Sequence, residues 1–478
     1  MNEFSRRTML TGAAAAPLGS LSAQETAQRL NLIHIGVDTW GAEWLGCFGH
    51  PTVRTPNVDA LAAKAAVFTE AFPEVLPTIP ARRGIYTGRR IFPSDLVLQR
   101  DDQVKIRGWH PLYAEDVTIS ETLKAAGYVT SFVSDVYHQF KPDKNFHRGF
   151  DAWHWVRGQE ADRVETGPRS AIRLDDYLHR SQTGTGPLQY LLNRKDWKTE
   201  DDWTCARVFR EGARWLRNNA AENQPFYLHL ESFSPHEHWD PPEDYYRAYM
   251  KSDYKGPRLI APPPVTKNMT PVEVEHVRAL YAGLVTFVDA QIGKFIKQVE
   301  SQGLLKNTII VFVADHGTFM GEQGQLHKGE TRLRTQVTNV PLFIYHPNRT
   351  WAGRRVSGFV QHTDLAPTLL ELLRVKTPDR MTGESLAGLV DSGRNSTRET
   401  IVTGWGEHGS VRTVEWNYIG RWSPGASFEE LYDLKRDPKE LKNAAASHLS
   451  VVKELRERLT AHVDGGWPAT RGTFAKII

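Results

Sequence analysis

Short apolar runs recur along the chain, separated by segments with the mixed polar and apolar spacing of helices. Four runs stand out because β-branched, aromatic and leucine residues dominate them: residues 31–38, 127–135, 224–232 and 307–315. Strands of a parallel sheet are buried on both faces and have this composition. Each run therefore predicts a central strand.

Helix start signals lie between these runs. Thr118 and Glu121 have the spacing of a capping box, in which each side chain accepts a hydrogen bond from the other residue's backbone N–H. Thr270, Pro271 and Glu273 supply the N-cap, the first-turn proline and the capping-box partner of a long helix. Strands that alternate with helices in this way predict a sheet with helices on both faces.

The pattern changes near residue 393. Residues 28–392 predict an α/β catalytic domain, with a mostly parallel sheet sandwiched by helices and a polar insertion at residues 157–202. Beyond it, three short strand candidates precede a polar helix from about Pro438 to Val463. Residues 393–478 therefore predict a small C-terminal α+β subdomain.

Composition and charge narrow the possible functions. Of the 478 residues, 40% are hydrophobic and 24% are charged, as in a globular protein with a large core. The net charge is +3 with the basic residues scattered, so no nucleic-acid partner is predicted. Two cysteines exclude a disulfide framework and a four-cysteine zinc site. No run of 18 apolar residues occurs, so no transmembrane segment is predicted.

The first residues have the composition of an export signal. Arg6 and Arg7 precede an alanine-rich stretch that ends in small residues near Ser22 and Ala23. Paired arginines mark the twin-arginine route, so residues 1–23 predict export, with a periplasmic location. The alternative interpretation is an ordinary basic N-terminus.

Candidate chemistry begins where two predicted strands end. Asp38 follows the first strand and Asp315 follows the fourth. Ligands in open α/β sheets bind beyond the carboxyl ends of the strands, so the two carboxylates are expected in one pocket. His316 adds an imidazole nitrogen, which gives a mixed set suited to zinc or manganese without excluding calcium or magnesium. The alternative is that each acid is a turn former.

Two further windows carry polar groups suited to an anionic ester. Pro80 suits the first position of a helix, which places Thr78 at the helix entrance, where backbone amides favour an anion. Arg82 lies about one turn inside, with a planar fork that matches sulfate or phosphate. His236, in a proline-rich loop, is a candidate acid for a leaving oxygen. Each residue alone has a structural explanation.

In order along the chain, these windows resemble the sulfatase family of the alkaline phosphatase superfamily, over nearly all of residues 31–445. The resemblance rests on several segments: NLIHIGVDTWGAEWLGCFG, TIPARRGIYTGR, SPHEHWDPP, VFVADHGTFMGEQGQLHKGE and LYDLKRDPKELKN. It implies metal ligation by Asp38, Asp315, His316 and Thr78, and it makes Thr78 the nucleophile. It places Arg82, His236 and Lys328 where the family binds the anion and assists the leaving group.

The chain departs from the family pattern at three positions. Sulfatases of the formylglycine type carry Cys or Ser where this chain has Thr78, so no formylglycine is expected. Thr39 replaces an acid that often follows the first one, and Asp135 falls at an anion-binding lysine position. These departures leave open whether the substrate is a sulfate or a phosphate ester.

The expected function is a hydrolase of sulfate or phosphate esters that uses one divalent metal, either calcium, manganese or zinc. Its expected substrate is a small-molecule or carbohydrate ester. Two alternatives stay open: a two-metal phosphodiesterase and a non-catalytic anion- or glycan-binding protein. The first would need extra ligands, for which these residues are available: His236, His238, Asp240, His327 and His362.

Overall fold

The computed structural model describes residues 29–94, 107–141, 143–220, 224–422, 425 and 427–464. The predicted export signal at residues 1–23 lies outside the described residues, so it stays a prediction.

The strands of the described chain form a large sheet, a four-stranded sheet and a two-stranded ribbon. In chain order they are β1 (Asn31–Val37), β2 (Ala66–Phe72), β3 (Val129–Ser134), β4 (Ala152–Trp155), β5 (Phe226–Ser232), β6 (Thr308–Ala314), β7 (Phe319–Met320), β8 (Leu326–His327), β9 (Val340–Tyr345), β10 (Arg355–Gln361), β11 (Thr400–Trp405), β12 (His408–Thr413), β13 (Trp416–Arg421) and β14 (Glu429–Asp433).

The large sheet has the strand order β10-β2-β9-β6-β1-β5-β3-β4. β1 pairs in parallel with both β5 and β6, while β9 runs antiparallel to its two neighbours. All four predicted central strands are present, at the centre of this sheet or next to it. The predicted α/β fold with a mostly parallel sheet is therefore confirmed.

Helices cover the sheet and connect its strands. They are α1 (Pro56–Ala63), α2 (Thr78–Thr87), α3 (Ile119–Ala125), α4 (Tyr137–Phe140), α5 (Leu188–Arg194), α6 (Thr204–Asn219), α7 (Glu243–Arg247), α8 (Pro271–Ser301), α9 (Thr335–Thr338), α10 (Leu365–Leu372), α11 (Ala387–Ser392) and α12 (Leu449–Asp464). Both predicted capping boxes are formed, at the start of α3 and of α8.

The longest helix, α8, has the length and composition that a membrane span requires. Most of its residues are packed against the rest of the protein, as expected for the core helix of a globular domain. In the described part of the chain, α8 alone meets these criteria, and its burial makes it weak evidence for a membrane span.

The predicted C-terminal helix begins later than expected. It starts at Leu449 instead of Pro438, because the chain between them folds into turns around Glu440. This side chain is fully buried and accepts hydrogen bonds from Thr335 N at 2.7 Å and Asn417 Nδ2 at 2.6 Å. Its left-handed φ of 54° is incompatible with a helix.

The antiparallel sheet β11–β14 packs beside α2 through backbone contacts. Leu76 N donates to Gly404 O at 2.8 Å, and Gly404 N donates to Glu74 O at 2.9 Å. The Glu74 carboxylate also accepts from the backbone of Ile91 and Phe92. The C-terminal sheet thus bonds to the segment before α2, and its Val402 and Val411 share a hydrophobic cluster with Ile91 and Phe92 after α2.

Candidate active site

The site lies at the carboxyl ends of β1 and β6. Val37 and Ala314 are paired in the register of these neighbouring strands, so the residues that follow them, Asp38 and Asp315, emerge side by side. Both carboxylates are buried. The structure therefore brings together two acids that are separated by most of the catalytic domain in sequence.

His316 completes a group of three potential metal ligands with Asp38 and Asp315. Its Nε2 lies 3.4 Å from Asp315 Oδ2 and 3.8 Å from Asp38 Oδ1. Nδ1 is 3.0 Å from the Gly317 carbonyl and donates to it, which leaves the Nε2 lone pair directed at the carboxylates. Burial and then Lys328 lower the pKa of His316 to about 3, so the ring is neutral, as a metal ligand must be.

Two loops pack tightly to set this geometry. A Cβ added at Gly317 would lie 2.2 Å from the Gln336 carbonyl oxygen and 2.9 Å from Gly41 Cα, so only glycine permits this approach. Thr39 has a φ of 63°, which costs a β-branched residue about 1–3 kcal/mol. The Tyr281 hydroxyl donates to its carbonyl at 2.7 Å and stabilises this conformation.

Thr39, which follows Asp38, bonds to both carboxylates without supplying a charge. Its hydroxyl donates to Asp38 Oδ1 at 2.7 Å, and its backbone N–H donates to Asp315 Oδ1 at 2.9 Å. His316 N donates to the same Asp315 oxygen at 2.7 Å. These bonds orient both carboxylates.

Arg82 is directed at the carboxylates. Its Nη1 lies 2.6 Å from Asp315 Oδ2, its Nη2 lies 3.0 Å from Asp38 Oδ2, and its Nε donates to Glu231. Burial alone would lower the pKa of Arg82, but the three acids raise it, so the guanidinium stays charged. Most N–H donors of Arg82 therefore bond to groups of the protein. The family resemblance implied instead that Arg82 binds the anionic substrate directly.

Thr78 is the first residue of α2, two positions before the start expected from Pro80. The Ala81 N–H donates to the Pro77 carbonyl at 3.0 Å and closes the first turn. Arg82 Nη1 donates to the Thr78 carbonyl at 3.0 Å, so one guanidinium nitrogen contacts both Thr78 and Asp315. No described residue forms a hydrogen bond with the buried Thr78 hydroxyl.

The buried charges of this cluster do not balance when all three acids are ionised. Asp38, Asp315 and Glu231 then surround the single positive charge of Arg82. Burial raises the pKa of Glu231, although Arg82 opposes the shift. A divalent cation between Asp38, Asp315 and His316 would neutralise the excess, so the donor set fits a metal ion.

His236 and Lys328 lie together near the cluster. Lys328 Nζ donates to His236 Nε2 at 2.7 Å. Burial and Lys328 lower the pKa of His236, but the adjacent Glu237 and then Asp38 outweigh these effects and raise it. This pair can offer protons and positive charge to an anionic substrate.

Most other sequence candidates have structural partners, whereas His238 stacks on Tyr190 and its buried Nδ1 has no hydrogen-bond partner among the described residues. Asp135 is fully buried and accepts from Phe233 N at 2.6 Å, so the backbone that follows β5 holds its carboxylate. Asp240 pairs with Arg194 and Arg258. His362 Nε2 donates to the Ala314 carbonyl at 3.0 Å. The described ranges contain no second group of three metal ligands.

Two acids near the site were missed by the sequence analysis. Glu231 is the charged residue within the buried strand β5, and an acid in an otherwise apolar run is a usable signal. Glu237 lies between two histidines in the SPHEHW segment, and the histidines are the more obvious candidates there.

Comparison with known proteins places this geometry in a family. The family model named Sulfatase matches residues 30–375, which is well over half of the chain. The chain belongs to the sulfatase family. A second model, described as N-sulphoglucosamine sulphohydrolase, C-terminal, matches residues 321–464.

Individual relatives agree with this assignment. The chain is 27% identical to an arylsulfatase of Clostridium perfringens, over 91% of this chain and 96% of the relative. It is 23% identical to an N-acetylglucosamine-6-O-sulfatase of Bacteroides thetaiotaomicron, over 95% and 90%. A phosphonate monoester hydrolase of Agrobacterium radiobacter has the same fold, with a TM-score of 0.71 at 22% identity, over 91% and 95%. Family membership indicates an enzyme that hydrolyses sulfate esters.

Proposed function

We propose that the protein is an exported, metal-dependent ester hydrolase in which Thr78 is the nucleophile. The observation that carries this proposal is the buried group of Asp38, Asp315 and His316, whose unpartnered Nε2 points at both carboxylates. This group lies beside the first turn of the helix that begins with Thr78.

The proposed ligands are Asp38, Asp315, His316 and the Thr78 hydroxyl. A bound calcium, manganese or zinc ion would lower the pKa of that hydroxyl and offset the charge of the ester. Arg82 keeps Asp38 and Asp315 apart at a fixed spacing. Thr78 replaces cysteine or serine, so the nucleophile is the hydroxyl itself and not a formylglycine hydrate.

The chain's own residues supply the remaining steps. The Thr78 hydroxyl proton passes to solvent water, and Thr78 Oγ1 forms a bond to sulfur or phosphorus while the bond to the leaving oxygen breaks. The leaving oxygen takes the electron pair and accepts a proton from His236 Nε2. Lys328 binds a non-bridging oxygen of the ester. Water then attacks the sulfur or phosphorus of the threonyl ester while its bond to Thr78 Oγ1 breaks. His236 takes one proton from that water, and a proton from solvent restores the Thr78 hydroxyl.

A sulfate ester of a carbohydrate is the proposed substrate. Curated relatives include an arylsulfatase and an N-acetylglucosamine-6-O-sulfatase, which support a sulfate monoester with a sugar or aryl leaving group. A phosphate monoester is the second candidate, because a threonine hydroxyl can attack phosphorus without the maturation that formylglycine enzymes need.

The test is turnover of nitrophenyl sulfate, nitrophenyl phosphate and bis-nitrophenyl phosphate by the purified protein, after EDTA treatment and addition of each metal. Wild type should turn over one ester class in the presence of metal, and Thr78→Ala should lose at least about 10³-fold, as expected for a missing nucleophile. Thr87→Ala, at the other end of α2, is the matched control.

The result also separates the alternatives. Preferred turnover of the diester with two ions per chain would favour a two-metal phosphodiesterase. Binding of sulfated sugars without turnover of any ester would favour a non-catalytic binding protein. Equal turnover by Thr78→Ala and wild type would exclude Thr78 as the nucleophile.

A further inference from the structure

Glu237 forms the centre of a cluster of potential cations beside the site. Its carboxylate contacts His327 Nδ1 through Oε1, while Oε2 lies 2.9 Å from His236 Nδ1 and 3.8 Å from Lys328 Nζ. The Glu237 side chain is only 14% exposed. A carboxylate in this position is unexpected, because it opposes the approach of an anionic ester.

His327, which contacts Glu237, has its own partners in the protein. His327 Nε2 is 2.8 Å from the Pro262 carbonyl, and its ring stacks on Trp239 with centroids 4.9 Å apart. Glu237 is thus held by a histidine that is itself packed and hydrogen-bonded.

The hydrogen bonds define the state of His236 before substrate binds. Lys328 Nζ can only donate, so His236 Nε2 accepts from it at 2.7 Å, and the ring proton lies on Nδ1. Nδ1 donates to the Glu237 backbone carbonyl at 2.7 Å. The carboxylate oxygen at 2.9 Å is not aligned as an acceptor, so the backbone fixes the tautomer and the side chain contributes charge.

The Glu237 carboxylate stays ionised. Burial would raise the pKa of Glu237, but His236, Lys328 and His327 hold it well below the ordinary value. Other titratable or charged groups lie around His236 or its neighbours: Asp38, Glu160, His238, His316, His327 and Lys328. Of these groups together with Glu237, the largest effect that favours protonated His236 comes from Glu237.

We propose that Glu237 is the positioning residue for leaving-group protonation. When an ester oxygen draws Lys328 away, His236 Nε2 takes up a proton from solvent water, and Glu237 stabilises the resulting imidazolium next to the site. The imidazolium then gives that proton to the leaving oxygen as its bond to sulfur or phosphorus breaks. This inference rests on the proposed function, in which His236 is the acid.

The experiment compares Glu237→Gln with Glu243→Gln, a control on exposed α7 in the same segment. Each is assayed with an ester of a poor leaving group, glucosamine 6-sulfate or its phosphate analogue, and with the nitrophenyl ester. General acid catalysis contributes about 10²–10⁴-fold where the leaving oxygen needs a proton. Glu237→Gln should therefore lose about 10²-fold in kcat/KM on the sugar ester and less than about 10-fold on the nitrophenyl ester.

The pH profile provides a readout that a purely structural role would not affect. Loss of the Glu237 charge lowers the pKa of His236, so the alkaline limb of kcat/KM should move to lower pH. Glu237→Asp should restore part of the shift. In a His236→Ala background, Glu237→Gln should cause no further loss, because the group that it acts on is absent.

Equal losses on both esters with an unmoved alkaline limb would overturn the inference and assign Glu237 to stability alone. Activity of Glu237→Gln equal to that of Glu243→Gln would overturn it as well. A wild-type protein that hydrolyses neither ester in any metal would instead refute the proposed function, and the inference with it. A melting scan of each variant identifies any that fail to fold.

Discussion

Removal of one charge from the carboxylate cluster is the most direct test of metal binding. Asp315→Asn preserves the size of the side chain and one oxygen acceptor for Thr39 N and His316 N, which bond at 2.9 and 2.7 Å. It removes the negative charge that Arg82 contacts at 2.6 Å and that a cation would require. We expect wild type to be stabilised by added metal and the variant not to respond.

The size of the response follows from ligand linkage. An ion that binds only the folded chain stabilises it by about 2.7 kcal/mol at one hundred times its Kd. Unfolding entropy of about 2.1 cal/mol/K per residue gives about 1 kcal/mol/K for 478 residues. The melting temperature of wild type should therefore rise by about 3 °C on saturation.

The assay is a melting scan of EDTA-treated protein at increasing calcium, manganese or zinc. Asp253→Asn is the matched control, because Asp253 is exposed and distant in sequence from the site. Two results would refute the reasoning. One is a wild-type shift retained by Asp315→Asn, which would locate the ion elsewhere, and the other is turnover that survives EDTA with no shift at all.

Three further outcomes are expected. Lys328→Ala should lower kcat/KM by about 10–100-fold, since a hydrogen bond to a charged group contributes about 1.5–3 kcal/mol, and steady-state kinetics would contradict this if KM and kcat were unchanged. Burial and then His362 lower the pKa of His34 from 6.5 to about 3. The unfolded chain therefore binds the extra proton, and stability present above pH 6.5 is lost as pH falls toward 3. His34→Gln should flatten the change in urea midpoint across this range, and an unaltered slope would exclude His34 as its source. Gly317→Ala should destabilise the protein by several kcal/mol, because its Cβ would meet the Gln336 carbonyl at 2.2 Å, and a wild-type melting temperature would contradict the tight packing.

The elements that sequence predicted correctly depend on local signals. The capping box of Thr118 and Glu121 needs only four consecutive residues, and so does that of Thr270 and Glu273. The start of α12 depends on tertiary contacts of buried Glu440, which no local pattern encodes.

The candidate site likewise contains residues that the sequence predicts and residues that only the tertiary fold brings together. Asp38 and Asp315 were predicted to share a pocket because parallel strands end at one edge of a sheet. Glu231 was not found, since its contact with Arg82 requires the register that sets Gly36 beside it on β1. The direction of Arg82 toward the acids likewise depends on how α2 packs, which follows from neighbours far along the chain.

The contact between β11 and the segment before α2 limits how the molecule can be divided. If the chain ended at residue 392, Leu76 N and Glu74 O would lose their partner at Gly404, two residues before the helix that starts with Thr78. A shortened chain would retain every proposed metal ligand yet leave the entrance of that helix without support. We therefore expect activity to require the strands of the C-terminal sheet, because they support the backbone that leads to the reactive hydroxyl.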